Sequence, residues 1–317
     1  MNHQRYDCSV LARPAFWVAL VLGSISFSPS LMASQTAGEA VKVAQDHQQL
    51  IEAWRASRHE RLKKPDGWLS LTGLEWLKEG KSRIGSSADN DIRLSGGPSQ
   101  WGSVTLQNDR LYFENSDPEN VKIDGEPLGH VELIPDTVGE ATVVTSGTLS
   151  FNVIFRESYA LRIKDSQAKT LLNFKGVDNY PIDESWRIEG RFTAATEGSD
   201  IEIINVLGQV SALTVFGTFE FDRDGASHNL IALGDSDSEN LWFIFADRTS
   251  GHGTYGAGRY LYSDEMPEAG RLTVDFNKAY NPPCAFNEYS TCPIPPQQNR
   301  LDLFVEAGEK VFHPDPG

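Results

Sequence analysis

Apolar positions along the chain fall into two textures, and the change between them divides it. Over residues 39–64 they recur at helical spacing, which places Leu50, Ile51, Trp54 and Leu62 on one face, with Arg55, Arg58, Arg61, Lys63 and Lys64 around it. Pro65-Asp66-Gly67 closes this helix, and the basic cluster reads as a solvated face. From Trp68 onward, short β-prone runs alternate with Gly, Pro, Asn and Asp. Strands are expected at Ser103–Leu106, Arg110–Glu114, Val121–Ile123, Glu140–Thr145, Leu149–Arg156 and Ala160–Lys164, with turns at Asn108-Asp109, Asp124-Gly125 and Ser146-Gly147. The alternation weakens over residues 165–185, where a boundary is expected. Longer runs follow at Glu184–Ala194, Asp200–Val206, Val210–Phe221, Leu230–Leu233, Asn240–Ala246, Thr254–Ser263 and Arg271–Asn277. They predict an antiparallel meander that closes into a barrel or a strongly curved sheet. The expected fold is therefore mostly β: a helix at 34–67, a β-sandwich at 68–170 and an antiparallel β domain at 171–317.

Ahead of the helix, Arg5 and Arg13 precede an apolar run from Phe16 to Leu22, which is too short to span a bilayer. Leu31-Met32-Ala33-Ser34 follows as a small-residue exit, so residues 1–33 read as a signal peptide cleaved after Ala33. The mature chain is expected in the periplasm or outside the cell. Cleavage removes Arg5, Arg13 and Asp7, and takes the formal charge from −16 to −17. Such a surface repels phosphate backbones and anionic lipid, so neither nucleic acid nor insertion into a membrane is expected. Export also bears on Cys284 and Cys292, the cysteines left after cleavage. A disulfide is the default reading, and a metal site is the competing one, poorly served by seven intervening residues and no accompanying Cys or His pair.

Arg83-Ile84-Gly85-Ser86 through Asp91-Ile92-Arg93-Leu94, with Ser99-Gln100-Trp101-Gly102 and Ile123-Asp124-Gly125, resembles forkhead-associated domains, small β-sandwiches that bind phosphothreonine. Ser86 stands where that family carries its phosphate-binding arginine, and Gly102 where it carries a histidine. Without a guanidinium to fork onto phosphate oxygens, the resemblance implies the scaffold and not the activity.

Candidate chemistry concentrates between Asp247 and Asn281. The segment Asp247-Arg248-Thr249-Ser250-Gly251-His252-Gly253-Thr254-Tyr255-Gly256-Ala257-Gly258-Arg259 reads as strand end, turn and return strand. A hairpin symmetric about Gly251 places Asp247 opposite Tyr255 and on the face of Arg259. In the next run, period two sets Thr273, Asp275 and Asn277 on one face and Leu272, Val274 and Phe276 on the other. The candidate ligand-binding residues are Asp247, Thr249, Ser250, Tyr255, Arg259, Asp275, Asn277, Tyr280 and Asn281. A structural ion pair explains Asp247 with Arg259 as readily as a binding role. Gly256 and Gly258 read as a barrel corner or a close approach. His252 reads as an exposed turn residue, and Gly234-Asp235-Ser236 as a turn and not a hydrolase nucleophile.

A proline-rich strap follows, from Asp275-Phe276-Asn277 to Pro282-Pro283-Cys284 and on through Thr291-Cys292-Pro293 to Asn299-Arg300-Leu301. With Gly67-Trp68-Leu69-Ser70-Leu71-Thr72-Gly73-Leu74, the Asp247–Arg259 hairpin and Ala307-Gly308-Glu309-Lys310, it resembles an uncharacterised, largely bacterial family catalogued as domain of unknown function 1684. The resemblance implies no reaction. No cofactor and no metal set is indicated. Three roles stay open: capture of a small polar ligand by the C-terminal β domain, hydrolysis by Asp247 and Asp275 as an acid/base pair, or a structural module of the cell envelope.

Overall fold

The structure is a computed structural model that describes residues 29–235 and 237–313, with side chains described from Gln45 onward. Most of the signal-peptide segment, and Ser236, lie outside the described residues. Asp46–Gly317 forms one compact unit, apart from Met1–Gln45. The chain is mostly β, as its patterning predicts. No described helix is long and apolar enough to cross a membrane.

Helix α1 runs Pro29–Leu62. Its buried stripe starts at His47 and continues through Ile51, Trp54, Arg55, Arg58 and Leu62, a spacing of i, i+4, i+7, i+8, i+11 and i+15. Leu50, expected on this face, is instead 66% exposed. The arginines expected on a solvated face divide. Arg55 and Arg58 turn inward, while Arg61 lies on the exposed side. Arg58 Nε donates to Glu309 Oε1 at 3.0 Å and Arg55 Nη2 to the Tyr180 carbonyl at 3.0 Å, so the inward cations have acceptors.

Ten strands follow: β1 (Leu71–Trp76), β2 (Gly80–Gly85), β3 (Ile92–Arg93), β4 (Gly102–Gln107), β5 (Arg110–Asn115), β6 (Lys122–Ile123), β7 (His130–Glu132), β8 (Val143–Ser146), β9 (Leu149–Arg156) and β10 (Ser158–Asp165). They form two sheets, ordered β3-β2-β4-β5-β7 and β1-β10-β9-β8-β6, which share a core that includes Trp101, Phe113 and Phe151. The β4–β5 hairpin turns at Asn108 and Asp109, with φ of 50° and 60°, the left-handed pair that matches strand twist. On β10, Leu161 and Ile163 enter this core, so Arg162 between them points to the opposite face.

The remaining strands are β11 (Arg187–Ala194), β12 (Asp200–Ile204), β13 (Val210–Arg223), β14 (Ala226–Leu233), β15 (Trp242–Phe245), β16 (Arg259–Tyr262) and β17 (Arg271–Asp275). The sheet runs β16-β15-β14-β13-β11-β17, with β12 on β13, and curls into a half-barrel. No ladder joins β16 to β17 among the described residues, so of the two expected forms the curved meander is the one adopted. The inner face is filled by Phe219, Phe221, Phe243, Phe245, Leu261 and Phe276, and by Leu301, Leu303 and Val305 from the strap. Where β14 and β15 part after one paired position, Asn299 bridges them. Its Nδ2 donates to the carbonyls of Ile231 and Ile244 at 3.0 Å each, and its Oδ1 accepts the Ile231 amide at 2.6 Å.

The run Thr254–Ser263, expected as one strand, is a strand only from Arg259. Upstream the chain folds on itself, with the His252 and Thr254 amides both donating to the Thr249 carbonyl. Gly258 has φ +99°, and a Cβ there would lie 2.5 Å from Pro295 Cγ and 2.6 Å from the Phe245 carbonyl oxygen. Of the two readings of this glycine, close approach of chain segments is what the packing requires.

Candidate functional site

Asp247 and Arg259 adjoin, as the hairpin reading expects, in the packed interior. Arg259 is fully buried. Its Nη2 reaches Asp247 Oδ1 at 3.3 Å and the Val305 carbonyl at 2.9 Å, and its Nη1 donates to the Ala307 carbonyl. Burial pulls the guanidinium pKa down, and the Asp247 carboxylate opposes this. Asp247 Oδ2 accepts the Thr249 amide at 3.1 Å, Thr249 Oγ1 at 2.7 Å and the Val305 amide at 2.9 Å. Ser250 Oγ accepts the Asp247 amide at 3.2 Å. Asp247, Thr249, Ser250 and Arg259 thus form a clamp that satisfies strap backbone which no ladder can reach.

Tyr255 does not face Asp247. Its hydroxyl donates to the Cys284 carbonyl at 3.1 Å, because the chain folds back at Thr254 instead of forming a symmetric hairpin. Asp275 forms a second cluster at the end of β17. Its Oδ1 accepts the Asn277 amide and Nδ2 at 3.0 and 2.8 Å, and its Oδ2 lies 2.7 Å from His47 Nε2. With its oxygens engaged by α1 and by the start of the strap, Asp275 is tied to a different neighbourhood from Asp247. Asn281 is buried, with its Nδ2 on the Lys310 carbonyl and its amide on Glu309 Oε2, both at 2.7 Å. His252 is exposed.

The expected bond between Cys284 and Cys292 is not formed; both are free thiols. They are neighbours in which Cys292 Sγ accepts the Cys284 amide at 3.1 Å and so spends its lone pair on backbone. The hydrogen bond from Cys292 holds the Cys284 thiol pKa below its usual value, and the same bond, together with burial, raises the pKa of Cys292. Alkylation by iodoacetamide is therefore expected at half-buried Cys284 while buried Cys292 stays protected. The pH midpoint for Cys284 should fall below that of a free thiol, since a lowered pKa retains the thiolate at lower pH. Mass spectrometry of alkylated peptides across a pH series measures both.

A cleft of about 920 Å³ opens on the other face of the curved sheet. The sheet presents apolar side chains both ways: Phe243, Phe245 and Leu261 inward, and Trp242, Ile244, Tyr260 and Tyr262 outward. Trp242 pairs with Tyr262 across the strands, and Tyr260 bridges to Tyr280 in the strap. The opposite wall comes from elsewhere in the sequence: Trp54, Arg58 and Arg61 from α1, Trp68 just after it, and Arg156 and Arg162 from the sandwich. Tyr280 and Cys292 are the sequence-predicted residues found in this lining. Asp247, Arg259 and Asp275 are not in it.

The cleft is basic in an acidic protein. Arg58 pairs with Glu309, Arg156 with Asp136 at 2.9 Å, and Lys278 with Asp264. Arg162 differs. It is 8% exposed, has no carboxylate partner among the described residues, and makes its hydrogen bond through Nη2 to Thr291 Oγ1 at the limiting distance of 3.5 Å. Its Nε is buried with no acceptor. Desolvation, followed by the nearby Arg156 charge, lowers its pKa. Its Cζ lies 5.4 Å from the Trp68 ring centroid, but a guanidinium stays charged at neutral pH, and a buried charge without a counter-ion is costly.

Residues 172–310 match the family described as Protein of unknown function (DUF1684). This C-terminal segment is similar to that family. A solution NMR structure of an uncharacterized protein from Haloarcula marismortui is similar to this chain at 31% identity, covering 43% of this chain and 77% of that one, with a TM-score of 0.37. No curated protein matches. The DUF1684 segment supplies the outward-facing aromatic wall, while all four arginines of the cleft precede it.

Sequence reasoning passed over Arg162, Trp242, Tyr260 and Tyr262. The signal available for Arg162 was an arginine enclosed by Leu161 and Ile163 in a period-two run. For the ring wall it was Arg259-Tyr260-Leu261-Tyr262, which is apolar on both faces.

Proposed function

We propose that the protein binds a small anionic ligand in this cleft, after export from the cytoplasm. Arg162 carries the reading. A nearly buried guanidinium without a carboxylate, on a cleft that also exposes Arg61, is matched by a ligand that brings negative charge and acceptor oxygens. The volume suits a ligand of small-molecule size. Long-range repulsion by a chain of formal charge −16 would slow the approach of any anion, so local cationic groups must supply the attraction. The candidate carboxylates Asp247 and Asp275 are occupied by internal donors, which favours binding over hydrolysis by this pair. Export rests on Arg5, Arg13, the apolar run from Phe16 and the exit at Ala33.

Titration of tryptophan fluorescence with small carboxylates and phosphates tests the binding. Saturable binding to the wild type is expected, with Kd at least about tenfold weaker in Arg162→Gln, the scale of one charge-assisted hydrogen bond. Equal affinity in the variant, or no binding by any anion, overturns the reading.

A further inference from the structure

The aromatic wall indicates what the anion is attached to. Resting on the anionic reading of the same cleft, we infer that the ligand carries a flat ring stacked on Trp242, Tyr262 and Tyr280. These side chains come from β15, β16 and the strap, yet their planes are nearly parallel. Trp242 and Tyr262 lie 6.2 Å apart between ring centroids at 17°, and Tyr262 and Tyr280 lie 6.3 Å apart at 14°. Tyr260 stands at 87° to Trp242 and 90° to Tyr280, with its hydroxyl on the Pro293 carbonyl at 2.7 Å, and backs the three from behind.

The Tyr262 and Tyr280 hydroxyls interact with each other, which helps to orient the two rings but does not cover Tyr262. Side chains that exist to fill space are covered, whereas Tyr262 is 43% exposed on the cleft. Trp242 Nε1 has no hydrogen-bond partner, which leaves a second unmatched donor beside the site, as Arg162 Nε does. Parallel faces offer offset stacking to a flat ring, and an sp³ ring uses them less well. At the Tyr280 end of the wall, the Arg58 guanidinium lies 4.7 Å from the ring centroid, held by Glu309. A ring laid on this wall therefore has its substituent near positive charge, which is the layout for a ring joined to a carboxylate or phosphate.

The test uses the full chain and matched probes of equal charge: naphthalene-2-carboxylate against cyclohexanecarboxylate, and adenosine monophosphate against ribose 5-phosphate. Tryptophan fluorescence follows each titration, since Trp54, Trp68 and Trp242 all line the cleft. At least one flat-ring probe is expected to bind about tenfold more tightly than its partner, and the pair that does so separates aromatic acids from nucleotides. Tyr262→Ala, at a partly exposed position on β16, should bring that ratio close to one and leave the Kd of the ringless probe unchanged, with far-UV circular dichroism showing that the variant is folded. Equal affinities within both pairs, or a ratio that survives Tyr262→Ala, overturn the stacking inference while leaving anion binding intact. Flat-ring binding that is indifferent to Arg162→Gln would instead sink the anionic reading, and no binding by any probe would overturn both.

Discussion

Asp247→Asn is expected to cost about 3–5 kcal/mol of folding stability, the largest effect of any single substitution considered for this chain, because it leaves a fully buried guanidinium without its counter-charge. The carboxylate accepts from Arg259, Thr249 and the Val305 amide, and an amide side chain cannot accept at both of its heavy atoms. The strap should loosen with it, since Arg259 also holds the carbonyls of Val305 and Ala307. Urea unfolding followed by far-UV circular dichroism measures the loss. A change under about 1 kcal/mol would show that the clamp is not what holds the strap.

Glu309→Ala should lower stability by about 3 kcal/mol. Glu309 is buried at 2%, accepts Arg58 Nε at 3.0 Å through one oxygen and the Asn281 amide at 2.7 Å through the other, and so ties α1 to the strap. The double variant Arg58→Met with Glu309→Leu removes both charges and should lose less than Glu309→Ala alone, because the penalty lies mainly in the cation left behind. Equilibrium unfolding of the wild type, Arg58→Met, Glu309→Leu and the double variant completes the cycle. Additive losses would mean that the pair contributes no coupling.

Much of the fold was legible because strand patterning is local. The run Leu149–Arg156 coincides with β9, and Asn108-Asp109 marks the β4–β5 hairpin, because alternation and left-handed turn residues act over a few positions. The pair Asp247 and Arg259 was legible for the same reason, the two being only twelve positions apart. Its setting was not. Asp247 is satisfied by the Val305 amide, and a partner 58 positions away leaves no trace in local periodicity.

The helix shows this most clearly. Arg55 and Arg58 sit on the buried stripe, but a pattern that counts charges as outward places them in solvent. What reverses their orientation is Glu309 and the carbonyls of Tyr180 and Asn281, more than a hundred residues downstream. Leu50 was assigned inward by the same rule and is exposed. The cleft was missed because its rings and its guanidiniums come from separate stretches that only the tertiary fold brings together. The thiols differ again, since the expectation of a bond came from compartment and not from packing.

The division of the cleft walls has a consequence for how the cavity comes to exist. Rings from residues 242, 260, 262 and 280 belong to the family segment, and the guanidiniums of residues 58, 61, 156 and 162 precede it. The two sets of side chains thus lie on separate stretches of the chain, and the cleft exists only once these have packed together. Either stretch alone would keep its own side chains and lose the cavity, which makes the cleft a property of the folded whole and not of the matched segment.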